Sequence, residues 1–154
     1  MPTITPFLWF NDNAEEAITF YTGLFPDGRV LDTQRGPDGK LFHGTIELQG
    51  QRLMLLNGGP MYSLTEAFSL FVSCEGQAEV DRYWGGLLAG GGQPSRCGWL
   101  TDRFGVTWQV IPTALMELTS SGTPAQSQAV MQAMMGMVKL DVEELQRAYN
   151  EGKA

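Results

Sequence analysis

The side chains able to do chemistry are few in this 154-residue chain: one histidine, two cysteines and four tryptophans. His43 is the only side chain whose unperturbed pKa lies near neutrality, so it is the nominal acid–base group of any catalysis. A lone imidazole more often serves as a hydrogen-bonding group in core or surface, and no second histidine pairs with it. Cys97 follows Arg96, and a nearby guanidinium would lower a thiol pKa. No His–Cys pairing is readable, however, and Cys74 and Cys97 are expected as ordinary free thiols. Trp99 and Trp108 fall on neighbouring strand-like segments. Strand alternation sets Thr107, Gln109 and Ile111 on one face and Trp108 and Val110 on the other. A glutamine on an inward face needs a partner, and aromatic walls with one or two amides describe a small-molecule pocket. Trp9 and Asn57 join this set, Asn57 sharing a strand face with Leu53 and Leu55. The candidate ligand-binding residues are Trp9, Asn57, Trp99, Trp108 and Gln109, with core packing the competing role for Trp108. Asp102 is expected to fix the turn at Arg103-Phe104-Gly105.

Glycine-rich turns deserve a check for phosphate or S-adenosylmethionine binding, which needs such a turn between a strand and a helix. Gly90-Gly91-Gly92 follows a helical pattern instead. Gly58-Gly59 follows a strand but runs into Pro60 and Met61 with no clear helix behind. Both read as turn glycines.

The elements that must position these residues follow from periodicity. Thr3 to Phe10 is β-branched and aromatic, a strand. Asn11-Asp12-Asn13 breaks it, and Ala14 to Phe25 carries apolar residues at helical spacing. Strands follow at Arg29–Arg35, Leu41–Leu48 and Arg52–Asn57, separated by Gly36-Pro37-Asp38-Gly39 and Gly50-Gln51. The order then restarts: strand Ala67–Ser73, helix Gln77–Leu88, and short strands near Gln93–Arg96, Cys97–Asp102 and Val106–Ile111. Strand, helix and three strands thus occur twice, as a repeat of element order without sequence identity. A helical tail follows. It has a short helix at Thr113–Leu118, a helix capped by Thr123 with Pro124 at its first position, and a last helix opened by Asp141 with Glu144. Met131, Met134, Met135 and Met137 mark the middle of the tail. They are expected to pack on the sheet, the alternative being an adaptable lid or dimer contact.

Composition narrows the function classes. Apolar residues are 43% and charged residues 18% of the chain, as in a globular protein. Seventeen acidic against ten basic residues give a net charge of −7 with no basic cluster, which argues against nucleic acid and anionic membranes as partners. No apolar run approaches the roughly 20 residues of a membrane span. The opening MPTITPFLWF lacks a basic, then apolar, export pattern, so the expected location is cytoplasmic.

Several of these segments also carry a family resemblance. Phe20-Tyr21, the run Leu56-Asn57-Gly58-Gly59-Pro60 with Glu66-Ala67-Phe68-Ser69, and above all the run Cys97-Gly98-Trp99-Leu100-Thr101-Asp102-Arg103-Phe104-Gly105-Val106-Thr107-Trp108-Gln109 resemble the PhnB-like branch of the vicinal oxygen chelate superfamily. That branch is also labelled a 3-demethylubiquinone-9 3-methyltransferase domain. The resemblance spans about Thr3 to Pro112. It implies an α+β fold of paired βαβββ modules, the glyoxalase/bleomycin resistance/dihydroxybiphenyl dioxygenase fold, each sheet curving around a cavity, usually in a homodimer. The expected organisation is a domain over residues 1–112, with modules at about 3–57 and 67–111, and a C-terminal helical extension over 113–154.

Superfamily members include metal-dependent isomerases and dioxygenases, thiol transferases and drug-binding proteins, so fold does not choose the activity. Metal-using relatives carry His, Gln or Glu on the first and last strands of each module. The matching positions here fall near Pro6, Leu55 and Ala67, none a ligand, with Gln109 on the last strand. The expectation is therefore a protein without a canonical metal centre or other cofactor, binding a small molecule in a sheet-lined cavity. One alternative is a metal-dependent lyase, isomerase or dioxygenase using His43, Glu47 and Gln109. Another is a non-enzymatic protein whose Met-rich tail docks a partner.

Overall fold

A computed structural model describes residues 1–152. The chain forms two compact units, Met1–Thr65 and the residues from Glu66 onward.

In the first unit, β1 (Phe7–Phe10), α1 (Ala14–Leu24), β2 (Arg29–Arg35), β3 (Leu41–Leu48) and β4 (Gln51–Asn57) follow one another. The sheet order is β1-β4-β3-β2, with β1 parallel to β4 and the other pairs antiparallel. One face carries α1. A Cβ placed on Gly44 would lie 2.9 Å from the Ile18 side chain, so the helix sits directly on this strand. Leu8, Phe10, Ile46, Leu53 and Leu55 share that face by register and are buried, as are Ala14, Ala17, Ile18 and Tyr21 of the helix. Burying such a stripe against a sheet is the main stabilisation of so short a helix.

The second unit repeats the order with β5 (Ser69–Cys74), α2 (Gly76–Leu88), β6 (Gln93–Pro94), β7 (Trp99–Thr101) and β8 (Thr107–Pro112). Its sheet runs β5-β8-β7-β6, with β5 parallel to β8. Leu100, Trp108 and Val110 lie on the buried side, where α2 packs with Val80, Tyr83, Trp84 and Leu87. Two βαβββ modules with equal sheet topology are thus present, as the sequence pattern and the resemblance imply.

The tail is α3 (Thr113–Ser121), α4 (Pro124–Met135) and α5 (Val142–Glu151). Thr123 and Gln126 form a reciprocal capping box at α4, and the Asp141 side chain accepts from the Glu144 N–H at α5. The tail packs around its own core of Leu115, Leu118, Val130, Leu140 and Leu145, joined by Ile111 of β8. Among the described residues no helix is long and apolar enough to cross a membrane.

Candidate functional site

The face of each sheet turned away from its helix is where side chains remain for a ligand. In the first sheet the register builds a row straight across four strands: Trp9, Leu56, His43 and Gln34. The next row is Phe7, Met54, Thr45 and Asp32. A third closes that end with charge, as Glu47 meets Arg29 at 2.8 Å and Arg52 at 3.8 Å. Trp9, Met54, Leu56, His43 and Thr45 are only half-buried, and Phe7 is 52% exposed. This is a mixed apolar strip with His43 in its middle, Asp32 at its margin and the Glu47 ion pairs at one end.

The histidine is poised in an unusual way. The Nδ1 atom of His43 is buried and has no hydrogen-bond partner. An imidazole nitrogen shut away from water and left unpaired costs about 1–3 kcal/mol relative to a paired one, and such orphans are uncommon. Trp9, by contrast, has its polar end satisfied: Nε1 donates to the Gly59 carbonyl at 2.9 Å. Its ring lies on Gly58, where a Cβ would come within 2.5 Å of the indole, and Tyr62 meets it edge-on at 5.0 Å. Trp9 therefore offers only apolar surface.

Asn57 points the other way, toward α1. Its Oδ1 accepts from the Ala14 N–H at 2.8 Å and its Nδ2 donates to the Leu41 carbonyl at 3.0 Å. Asn13 supplies no side-chain cap to α1, so Asn57 caps the helix from a strand 43 residues away. Asn57 also borders an open cleft of about 690 Å³ between the β1–α1 loop and the β2–β3 hairpin, with Asp12, Glu15, Asp38 and Lys40 around it. Arg35 hydrogen-bonds Glu15 and holds its carboxyl below the usual glutamate range.

In the second sheet the equivalent outward row is Phe71, Gln109 and Trp99, with Ser69, Thr107 and Thr101 beside it. Gln109 donates from Nε2 to the Ser69 hydroxyl at 3.0 Å, which fixes the carboxamide. Trp108 faces the buried side. Its Nε1 donates to Asp102 Oδ2 at 2.9 Å, while Oδ1 of the same carboxylate accepts from the N–H groups of Phe104 and Val106 at 2.9 and 3.1 Å. Asp102, 3% exposed, thus ties the Arg103-Phe104-Gly105 turn to the β8 core. Gly105 holds φ +92° there, a conformation that suits glycine. Both cysteines are free. Cys74 is buried, and burial together with Glu79 pushes its thiol up to about 11.

The donor set does not fit a resident divalent ion. Among the described residues no three His, Cys, Asp or Glu side chains converge. His43 and Glu47 lie four residues apart on one strand, about 13 Å, and Glu47 is engaged by two arginines. None of the three strand-to-helix junctions is glycine-rich: Asn11-Asp12-Asn13 leads into α1, Glu75 into α2, and Pro112 directly into α3.

Ser69 and Tyr62 were not legible as site residues. Their roles depend on partners distant in sequence.

Comparison with known proteins fixes the family. The sequence model of the family described as 3-demethylubiquinone-9 3-methyltransferase matches residues 2–111. The chain belongs to this family. A solved structure from Bacillus cereus, described as a putative 3-demethylubiquinone-9 3-methyltransferase, PhnB protein, is 32% identical. It aligns over 72% of this chain and 99% of its own, with a TM-score of 0.67. Protein PA1353 from Pseudomonas aeruginosa is 22% identical over 73% of this chain and 98% of its own, with a TM-score of 0.61. The fosfomycin resistance protein FosX from Listeria monocytogenes, solved with Mn(II) and sulfate, is 13% identical over 70% of this chain and 89% of its own. Its TM-score of 0.51 places the PhnB-like chain in the same glyoxalase-type fold. No curated protein matches the sequence.

Proposed function

We propose that this PhnB-like protein binds a small, partly apolar molecule on the open face of its first sheet, with His43 as the polar anchor and no resident metal. The carrying observation is the buried, unpartnered Nδ1 of His43 within the row Trp9–Leu56–His43. A turn of the imidazole that brings Nδ1 to the open face lets a ligand's hydrogen-bonding group pair with it, while an apolar body covers Trp9, Met54 and Leu56. The row Phe71–Gln109–Trp99 is the matching surface of the second sheet, its amide already oriented by Ser69. If the bound molecule is transformed, His43 is the proton-transfer group. The methyltransferase of the family description draws no support from the strand-to-helix turns.

We assign the protein to the cytoplasm and to a homodimer. Supporting the dimer, β1 and β5 are edge strands, and Phe7 and Phe71 on them are 52% and 49% exposed. Exposed apolar edges are pairing surfaces. A second reading, a protein-docking tail, is favoured by the exposure of Met131 and Met135 on α4.

The test is NMR of the ¹⁵N-labelled imidazole during titration with small phenols and anilines. A shift of Nδ1 that saturates supports the site; an unmoved Nδ1 while other residues respond rejects His43 as the anchor.

A further inference from the structure

The family match ends at Ile111, the residue on which the C-terminal helices take hold. Ile111 shares the open face of β8 with Gln109 by alternation, yet it is 4% exposed because the tail covers it. Ile111 is the one residue of that hydrophobic cluster supplied by the sheet; Leu115, Leu118, Val130, Leu140 and Leu145 all come from the tail itself. The tail is a small bundle whose hydrophobic cluster takes Ile111 from the sheet and the rest from its own helices and loops.

Hydrogen bonds add to this contact. The N–H groups of Cys97 and Gly98 donate to the carbonyls of Met137 and Val138 at 2.9 and 2.8 Å. Gly98 holds φ +84°, and a Cβ there would press on Ile111, the Val110 carbonyl and Leu140. The latch is Gln77, at the start of α2. Its Nε2 donates to the Leu140 carbonyl at 3.0 Å and its Oε1 accepts from the Val142 N–H at 2.7 Å. Lys139 adds an exposed ion pair to Asp81 at 2.8 Å.

We propose that the helices α3–α5 undock from the second sheet as one intact unit, hinged after Pro112 and latched by Gln77, and so act as a lid over the Ile111 end of its open face. A bundle with its own hydrophobic cluster, held to the sheet through Ile111, the Leu140–Gly98 contact and a handful of hydrogen bonds, opens at lower free energy than the sheet unfolds. The lid gains its functional meaning from the ligand reading above, since it flanks the row Phe71–Gln109–Trp99. The undocking itself does not depend on that reading.

Native-state hydrogen exchange of the full chain tests the lid without any ligand. The amides of Cys97, Gly98 and Val142 bond only across the docking contact, so they report opening directly. The expected result is exchange of these three together, well before the β8 amides, while the interior amides of α4 and α5 stay protected. Gln77→Ala, which removes the acceptor of Val142 outright, is expected to speed Cys97 and Gly98 about ten-fold or more and to leave the sheet amides unchanged, and Lys139→Ala to speed all three reporters by a few-fold at most. Exchange of the reporters only with the sheet overturns the lid, and exchange at the same rate as the α4 and α5 interiors overturns its undocking as a unit. Failure of the ligand titration would leave these rates unaffected.

Discussion

Replacing Trp108 by phenylalanine separates a core tryptophan from a ligand-facing one. The indole N–H makes a 2.9 Å bond to Asp102 Oδ2 in the interior. A hydrogen bond to a charged acceptor contributes about 1.5–3 kcal/mol, and the smaller ring leaves a void costing about 1 kcal/mol more. The expected loss for Trp108→Phe is about 3 kcal/mol, a fall of about 6–12 °C in Tm for a chain of this length. Asp102→Ala loses the same bond and the two backbone bonds that hold the turn, for about 4 kcal/mol. Urea unfolding of both single variants and the double variant closes a mutant cycle, with an expected coupling of about 1.5–3 kcal/mol. Ligand retention should survive in Trp108→Phe. Additive effects would refute the bond as a stabilising one, and loss of ligand with unchanged stability would return Trp108 to the binding site.

Asn57→Ala removes the cap of α1 and the tie to Leu41, and is expected to destabilise by about 2 kcal/mol in urea titrations. Gly58→Ala forces a Cβ into the Trp9 indole; it should cost about 1–3 kcal/mol and change the tryptophan emission. Alkylation followed by mass spectrometry at pH 8 should modify Cys97 and spare Cys74. Thiolate forms as pH rises toward a group's pKa, so Cys74, at about 11 in the folded protein, should label only in strong alkali or after unfolding.

The paired modules were legible because their signals are local. Apolar spacing located α1 and α2, and Gly-Pro-Asp-Gly located the β2–β3 hairpin. Boundaries moved where pairing rather than propensity decides. Thr3–Phe10 reads as one strand, but β1 begins at Phe7, the first residue with a registered partner on β4. Likewise β5 is Ser69–Cys74 because β8 pairs with just those residues. Alternation already put Trp108 on the face opposite Gln109, and its indole proves tied to Asp102 within the core. The double role of Asn57 and the latch by Gln77 rest on backbone groups 16 to 65 residues away, and no local pattern announces them. The orphan His43 nitrogen is a property of packing: the sequence shows that the histidine is alone, not that its Nδ1 is buried.

Native mass spectrometry of the untagged protein beside His43→Ala tests the central claim most directly. The account predicts a retained organic mass, without a stoichiometric divalent ion, on the wild-type protein and its loss from His43→Ala. A stoichiometric divalent ion, or an organic mass held equally by both proteins, would contradict it.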